Sequence, residues 1–156
     1  MKGTYTIIIE CQSSSICVFG SLGRARLRRG HYLYTGSALG SGPASLEGRL
    51  QRHRKHSKVR WWHIDYLTTK RSCKVVNEIY HLSNRRLECS ISECISHKLK
   101  ILPVLPKIGS SDCNCAGHLL GPEVRLSRAD LLRRVVDAYV RAGVSRRSVM
   151  VRSHID

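Results

Sequence analysis

The sequence is poor in acidic side chains, with 11 Asp and Glu residues against 27 Lys and Arg residues in a chain of 156. The formal net charge is therefore +16 at pH 7, with a pI near 10.2. Such a charge repels itself unless a polyanion binds, and phosphate backbones are the commonest polyanions in cells. The excess of basic residues therefore makes nucleic acid the first expectation.

Long apolar runs are also missing. No stretch approaches the roughly 18 consecutive apolar residues of a transmembrane helix, so we expect no membrane partner. The N-terminal MKGTYTIIIE lacks the apolar core and cleavage site of a signal peptide, which predicts a cytoplasmic protein. The chain contains no internal repeat, and its 42% of hydrophobic residues suffices for one core.

Cysteine occurs seven times, an odd number, so at least one thiol has no disulfide partner within the chain. Thiols inside cells are normally reduced. Metal ligation, disulfide formation and simple burial therefore all stay open at this point.

Alternating apolar and polar residues predict several short strands before the first helix. The first strand, residues 3–10, places Tyr5, Ile7 and Ile9 on one face. Residues 16–20, ICVFG, are its expected hairpin partner. Further strands are expected over residues 24–29, 31–36 and 74–82.

Helical spacing and capping residues predict three helices. They are expected over residues 43–56, 84–100 and 127–142, with WWHIDYL, residues 61–67, as a short buried element. In the first helix, Leu46 and Leu50 form an apolar stripe flanked by Arg49 and His53. We therefore expect Arg49 and His53 at the edge of the helix face that turns toward the sheet.

These elements predict an α+β, sandwich-like fold with a small central, mostly antiparallel sheet of three to four strands flanked by helices. We expect a domain over residues 1–121 that contains a Cys- and His-bearing loop at 107–121. A basic C-terminal helix and tail, residues 122–156, are expected to pack on the same domain.

Two tripeptides stand out on the predicted strands, Gly3-Thr4-Tyr5 and Tyr34-Thr35-Gly36. They are followed by Arg49 on a helix and by Glu88 further on. This ordered set resembles the GIY-YIG nuclease superfamily. The wider pattern of YTGSALGSGPASLEGRLQRH, WWHIDYL and SDCNCAGHL resembles an archaeal branch related to Uri-type endonucleases, over roughly residues 2–121. Thr4 and Thr35 stand where the superfamily usually has isoleucine.

The resemblance implies a GIY-YIG-like fold and a metal-dependent endonuclease that hydrolyses DNA phosphodiester bonds. Tyr5 would accept or relay the proton of the attacking water, which requires a lowered pKa or a metal-polarised neighbour. Arg49 would contact the scissile phosphate, and Tyr34 and His53 would bind the phosphate or the water. His63 is a further candidate, with its ring oriented by Asp65.

The resemblance also implies one metal-binding glutamate, for which Glu78, Glu88 and Glu93 are all candidates. Glu88 is preferred, because it lies beside core residues on a predicted helix and can face a cleft. One carboxylate and several waters suit Mg²⁺ or Mn²⁺, which would stabilise the leaving oxygen.

Basic stretches on both sides of the tyrosine strand are expected to bind backbone phosphates. They comprise Arg24, Arg26, Arg28, Arg29, Arg52, Arg54, Lys55, Lys58 and Arg60. Nothing resembles a sequence-reading module, so we expect a structure-selective enzyme of DNA repair or recombination. RNA as substrate and a homodimer stay open. The alternative is a non-catalytic, basic nucleic-acid-binding protein with the same fold.

Cys113, Cys115 and His118 offer two thiols and an imidazole within six residues. With Cys89 or Cys94 from the preceding helix they would make a tetrahedral Zn²⁺ site that fastens the loop to the helix. The C-x-C spacing is shorter than the usual C-x₂-C, so disulfides and buried thiols remain alternatives. A zinc-stapled interaction module would explain these cysteines but not the charge.

Overall fold

Four strands precede the first helix in a computed structural model that describes residues 1–110 and 113–154. The strands are β1 (Gly3–Cys11), β2 (Ser15–Val18), β3 (Arg24–Leu27), β4 (Gly30–Ala38), β5 (Cys73–Leu82), β6 (Leu119–Glu123) and β7 (Val149–Ser153). The helices are α1 (Leu46–Arg54), α2 (Asp65–Thr68), α3 (Glu88–Leu99) and α4 (Arg128–Arg141). None of the helices in the described part of the chain is long and apolar enough to cross a membrane.

The fold is α+β, and its main sheet is antiparallel with the order β6-β4-β1-β5-β7. Five strands replace the three to four that the sequence predicts. The additional edge strand β6 lies partly in the segment expected to be loop. Its Gly121 and Pro122 weaken the strand pattern, but an edge position tolerates a residue without a backbone donor. The strand β1 lies at the centre and pairs with β4 and β5.

The expected pairing of residues 16–20 with the first strand is wrong. The strand β2 pairs instead with β3 in a separate two-stranded sheet, with Ser15 opposite Leu27 and Val18 opposite Arg24. Cys17 and Leu27 are buried, whereas Arg24 and Arg26 are exposed. This β2–β3 hairpin thus presents its arginines to solvent.

Both faces of the main sheet are covered, which explains why β1 reads as the nearly continuous apolar run TYTIII. Tyr5, Ile7 and Ile9 pack in one core with α1 and α2, as the alternation predicts. Ile8 packs in a second core with α3 and α4. The tyrosine-bearing face of the sheet is therefore the face that α1 covers.

The helix α4 is fastened to the sheet by a buried hydrogen-bonded chain. The Tyr139 hydroxyl lies 2.9 Å from Thr6 Oγ1 and donates to the carbonyl oxygen of Ile79 at 3.2 Å. Thr6 Oγ1 also lies 2.9 Å from Thr35 Oγ1 on β4. At its other end α4 begins as predicted, because Ser127 Oγ accepts from the Asp130 backbone N–H at 3.2 Å. One hydroxyl thus connects three elements.

Two of the seven cysteines form a disulfide across the sheet. Cys11 on β1 lies opposite Cys73 on β5, and the two are bonded over a sequence separation of 62 residues. The other five cysteines are free thiols.

Replacing Tyr139 by Phe removes the hydroxyl that connects α4 to β1 and β5. Because the loss leaves a buried threonine hydroxyl without one of its partners, we expect the free energy of unfolding to fall by about 1–2 kcal/mol. Urea denaturation of both proteins measures the difference. Unchanged stability would mean that apolar packing alone docks α4.

Candidate functional site

Tyr5 and Tyr34 lie on adjacent strands and face the same side of the sheet. In the β1–β4 register, Tyr5 is opposite Gly36 and Tyr34 is opposite Ile7. The two ring centroids are 6.4 Å apart. A Cβ atom on Gly36 would lie 2.7 Å from the Tyr5 hydroxyl oxygen, closer than real Cβ contacts allow. The glycine of the second tripeptide therefore makes room for the tyrosine of the first.

His53 comes from α1 and completes a three-ring cluster with the two tyrosines. Its Nε2 lies 2.8 Å from the Tyr5 hydroxyl oxygen, and its ring centroid is 5.8 Å from that of Tyr34. Leu46 and Leu50, both buried, set the rotation of α1 so that His53 also faces the sheet and is 1% exposed. The structure thus brings together three of the six residues that the sequence analysis placed in the site, Tyr5, Tyr34 and His53.

Burial keeps the whole cluster neutral at physiological pH. Desolvation, aided by the nearby cations Lys58, Arg49 and Arg52, lowers the pKa of His53 from 6.5 to about 3. Desolvation raises the pKa of Tyr5 from 10.0 to about 12, although Arg49 acts in the opposite direction. The pKa of Tyr34 is raised further for the same reason. The sequence analysis required either a lowered Tyr5 pKa or a metal-polarised neighbour for proton transfer. The first of these conditions is not fulfilled in the protein alone, because the Tyr5 pKa is raised.

Arg49 lies at the rim of the cluster. Its guanidinium carbon stacks 5.0 Å from the Trp62 ring centroid, and the Trp62 ring is 6.1 Å from that of His53. The Nε atom of Arg49 is buried and has no hydrogen-bond partner among the described residues. Arg49 therefore offers a forked cation, with an unused donor, beside Tyr5.

Glu88 lies in the first turn of α3 and contacts the end of β4, directly after the second tripeptide. It is 8% exposed, accepts a short hydrogen bond from Ser37 Oγ, and lies 3.6 Å from Arg86. Its negative charge is a minor cause of the raised pKa of Tyr5 and of Tyr34. Its partner Ser37 lies opposite Thr4 in the β1–β4 register, with the two hydroxyl oxygens 3.3 Å apart, so Glu88 reaches the sheet from the face opposite to Tyr5. A single carboxylate of this kind fits an ion that keeps most of its waters.

The other two candidate glutamates lie elsewhere. Glu78 on β5 is fully buried and forms ion pairs with Arg54 and Arg152, with His154 Nε2 3.3 Å from its Oε2, so its charge is already compensated by neighbouring side chains. Glu93 is exposed on α3 and adds to the raised pKa of Cys115. Glu93 thus belongs to the neighbourhood of the cysteines.

The expectation that Asp65 orients the His63 ring needs correction. Asp65 Oδ2 accepts from Arg52 at 2.7 Å and from the backbone N–H groups of Trp61 and Trp62 at 2.9 and 3.0 Å. Lys58 Nζ lies 3.5 Å from Oδ1. His63 is half-buried in the turn before α2. The hydrogen bonds and charges around the Asp65 carboxylate lower its pKa despite burial, and Asp65 organises this corner instead.

The nine predicted phosphate-binding cations divide into two groups. Arg52 and Lys58 pair with the buried Asp65, and Arg54 pairs with the buried Glu78. The charges of these three are compensated inside the domain, which the sequence analysis did not expect. The remaining six are exposed on the surface: Arg24, Arg26, Arg28, Arg29, Lys55 and Arg60.

A second cluster unites Cys89, Cys113, Cys115 and His118, whose ligand atoms all lie within 4.8 Å of one another. Of the two helical cysteines that the sequence offered, the structure therefore selects Cys89. His118 is 1% exposed, and its backbone N–H donates to Ile108 at 2.7 Å. Together these residues form a candidate metal-binding site. Residues 111 and 112 of the SDCNCAGHL pattern lie outside the described residues.

The cysteine–histidine cluster adjoins the tyrosine cluster. The Thr35 backbone N–H donates to the His118 carbonyl at 3.3 Å, directly after Tyr34 in the chain. Gly109 adopts φ +75°, and a Cβ there would lie 2.7 Å from the Tyr34 ring. Cys89 directly follows Glu88. The loop that carries Cys113 and Cys115 therefore packs over Tyr34, and the fourth residue of the cluster, Cys89, lies in the same helix turn as Glu88.

Comparison with known proteins identifies a family. A family model described as "Domain of unknown function DUF123" matches residues 4–141 of the chain. That span contains both clusters. No curated protein and no solved structure matches the chain.

The depressed pKa of His53 predicts an acid-sensitive stability. His53 stays neutral in the folded protein down to about pH 3, whereas the unfolded chain takes up a proton near its ordinary pKa of 6.5. The His53 contribution is therefore complete above pH 6.5 and is lost as the pH falls toward 3. At pH 5 the loss amounts to about 2 kcal/mol.

We expect His53→Gln to remove this loss, so that urea denaturation at pH 7 and pH 5 shows a smaller difference than in the wild type. His97→Gln, which changes an exposed histidine on α3, is the control and should keep the wild-type difference. Equal pH dependence of all three proteins would show that His53 is not held neutral by burial.

Proposed function

The chain belongs to the DUF123 family, whose description names no activity, and we propose that it is a metal-dependent endonuclease that hydrolyses DNA phosphodiester bonds. The observation that carries the proposal is the Tyr5–His53–Tyr34 cluster with Arg49 at its rim, and with Glu88 bonded to Ser37 directly after the second tripeptide. We further infer that this family is a branch of the GIY-YIG nuclease superfamily. A role in repair or recombination at branched DNA fits the lack of a sequence-reading module.

Arg49 would bind the scissile phosphate. Its guanidinium is always charged and presents a planar fork that matches phosphate oxygens. In support, its Nε is buried without a partner among the described residues, and stacking on Trp62 limits the directions it can take. The same guanidinium would also stabilise the extra negative charge that develops on the phosphate in the transition state.

Tyr5 and His53 would move the proton of the attacking water. In the tautomer with hydrogen on Nδ1, His53 Nε2 accepts from the Tyr5 hydroxyl across the 2.8 Å contact. The Tyr5 oxygen can then accept a proton from water while its own proton passes to His53. A bound phosphate would offset Lys58, Arg49 and Arg52, the cations that depress the His53 pKa, so substrate itself would raise the basicity of the relay.

Glu88 would hold the divalent cation, Mg²⁺ or Mn²⁺, with Ser37 as a second-sphere partner. When bound, the ion supplies positive charge that neutralises the leaving 3′-oxygen. Glu88 is largely sheltered from solvent, and its charge acts on the pKa of both tyrosines, so an ion held by Glu88 would act on both hydroxyls through space.

The exposed cations would bind the phosphate backbone outside the site. Arg24 and Arg26 project from the β2–β3 hairpin, while Lys55 and Arg60 flank the end of α1 and the turn before α2. These contacts would be to phosphates and independent of base sequence. Because each phosphate contact releases counterions, the affinity for DNA should fall steeply as the salt concentration rises. The net charge of +16 supports a polyanion as the partner.

A non-catalytic nucleic-acid-binding protein is the second candidate. The observation that favours it is the raised pKa of Tyr5, about 12, which leaves no phenolate in the free protein. In that case Tyr5 and His53 would be a buried hydrogen-bonded pair of the core, and the basic surface alone would carry the function.

We also propose that Cys89, Cys113, Cys115 and His118 bind a structural Zn²⁺ ion. Three thiolates and one imidazole make a common tetrahedral zinc set, and softer thiolate ligands disfavour Mg²⁺. The ion would fasten the loop over Tyr34 to the start of α3 beside Glu88, so it would support the active site without taking part in the chemistry.

Cleavage of labelled flap, forked, duplex and single-stranded DNA in Mg²⁺ or Mn²⁺, with matched RNA, tests the enzyme. Tyr5→Phe and Arg49→Ala should each lower kcat by about 10²–10³-fold while binding is retained. Glu88→Gln should abolish metal-dependent cleavage, whereas the control Glu93→Gln changes an exposed carboxylate on the same helix and should stay active. Binding without cutting of any substrate would favour the second candidate.

Metal content tests the zinc proposal without any activity assay. We expect about one Zn²⁺ per purified chain by elemental analysis, and a lowered Tm after removal by a chelator. Cys113→Ser should lose the metal, whereas Cys94→Ser, which changes a free cysteine outside the cluster on the helix that carries Cys89, should retain it. A wild type without zinc, or equal loss in both variants, would contradict the proposal.

A further inference from the structure

We propose that Trp61, with the groove beside it, stacks an unpaired nucleobase next to the phosphate held by Arg49. The inference rests on the proposed function in one respect, that nucleic acid is the partner. It goes further by naming the substrate class: a strand that is single or splayed at the cleavage point. Paired bases in a duplex already stack on both faces and cannot supply this contact.

Trp61 is 71% exposed, an unusual position for the largest apolar side chain. Its backbone is nevertheless firmly held, because its N–H donates to the buried Asp65 carboxylate at 2.9 Å. The Arg52 guanidinium lies 4.5 Å from the Trp61 ring centroid, and its own position is set by Asp65. Trp61 is thus a pre-positioned ring, with a cation on one face and most of its surface open.

A groove of about 890 Å³ lies beside this ring. Its walls include Trp61, Trp62 and Pro43, and the cations Arg52, Lys55 and Lys58. Aromatic faces combined with cations suit a nucleotide, since the base can stack while the phosphate meets positive charge. Lys55 is exposed here, whereas Lys58 and Arg52 retain their pairing with Asp65.

The groove and the candidate active site share one side chain, Trp62. Trp62 lines the groove, and the same ring contacts Arg49 at 5.0 Å and His53 at 6.1 Å. A strand whose phosphate lies on Arg49 would therefore have a neighbouring base at Trp61. Because backbone cations treat single and double strands alike, this ring is the feature that would select unpaired nucleotides.

The chain provides its own probe, because its two tryptophans are Trp61 and Trp62. Intrinsic fluorescence should be quenched on titration with a phosphorothioate oligothymidylate, without added divalent metal. An abasic oligomer of equal length carries the same phosphates without bases and should give little quenching. A blunt duplex should bind through its phosphates but quench less. Polyglutamate tests an acidic peptide as the alternative occupant and should not quench.

Fluorescence anisotropy of a labelled oligothymidylate measures the variants. Trp61→Ala should weaken binding roughly tenfold, since base stacking on an aromatic is worth about 1–3 kcal/mol. Trp61→Phe should restore most of the affinity, and Leu102→Ala, which changes an exposed apolar residue in another groove, should bind like the wild type. Quenching by the abasic oligomer or polyglutamate equal to that by oligothymidylate, or unchanged binding by Trp61→Ala, would overturn the inference.

These assays require no cleavage, so they separate the two proposals. If oligothymidylate quenches the fluorescence but the protein cleaves no substrate, the endonuclease proposal is wrong and the proposed base stacking at Trp61 is supported. Cleavage of every substrate by Trp61→Ala, with wild-type affinity and wild-type preference for unpaired strands, would sink the base site and leave the endonuclease.

Discussion

The buried Asp65 carboxylate holds together the part of the molecule on which the candidate site depends. It accepts hydrogen bonds from Arg52 and from the backbone of Trp61 and Trp62, and it lies 3.5 Å from Lys58. These contacts tie α1, which carries His53, to the segment that carries both tryptophans. A buried carboxylate persists only when so compensated, and removing it would leave two cations with no partner for their charge. The ring cluster, Arg49 and the exposed Trp61 therefore share one anchor.

A second constraint joins the tyrosine cluster to the cysteine–histidine cluster. The strand β4 carries Tyr34, and the backbone N–H of the next residue, Thr35, donates to the His118 carbonyl. The helix α3 begins with Glu88 and Cys89. Ligand atoms within 4.8 Å of one another need an ion or protons to offset the crowding of thiolate charge. A metal there would fix both the loop over Tyr34 and the first turn of α3. On this account the cysteine–histidine cluster would hold in place the loop and the helix turn that surround the proposed catalytic residues.

Much of this could be predicted from sequence, because local patterns determine it. Alternation in β1 predicts that Tyr5, Ile7 and Ile9 share one face, and the spacing of Leu46, Leu50 and His53 predicts a histidine at the helix face turned toward the sheet. The features that escaped prediction depend on distant partners. The strand β6 contains Gly-Pro and exists because β4 offers a free edge, and β2 pairs forward with β3. Asp65 is only two residues from His63 in sequence, which suggests a contact between them. The chain turns back after α1, however, so that Asp65 binds Arg52 of that helix.

The central claim is that a phosphodiester binds between Arg49 and the buried Tyr5–His53 pair. NMR of the histidine side chains, during addition of a non-cleavable phosphorothioate oligonucleotide, tests this most directly, because His53 Nε2 lies 2.8 Å from the Tyr5 hydroxyl. The account predicts that the His53 ring resonances shift and that the pKa of His53 rises above its value of about 3 in the free protein. Shifts confined to residues of the exposed basic surface, with the His53 resonances unmoved at saturation, would contradict it.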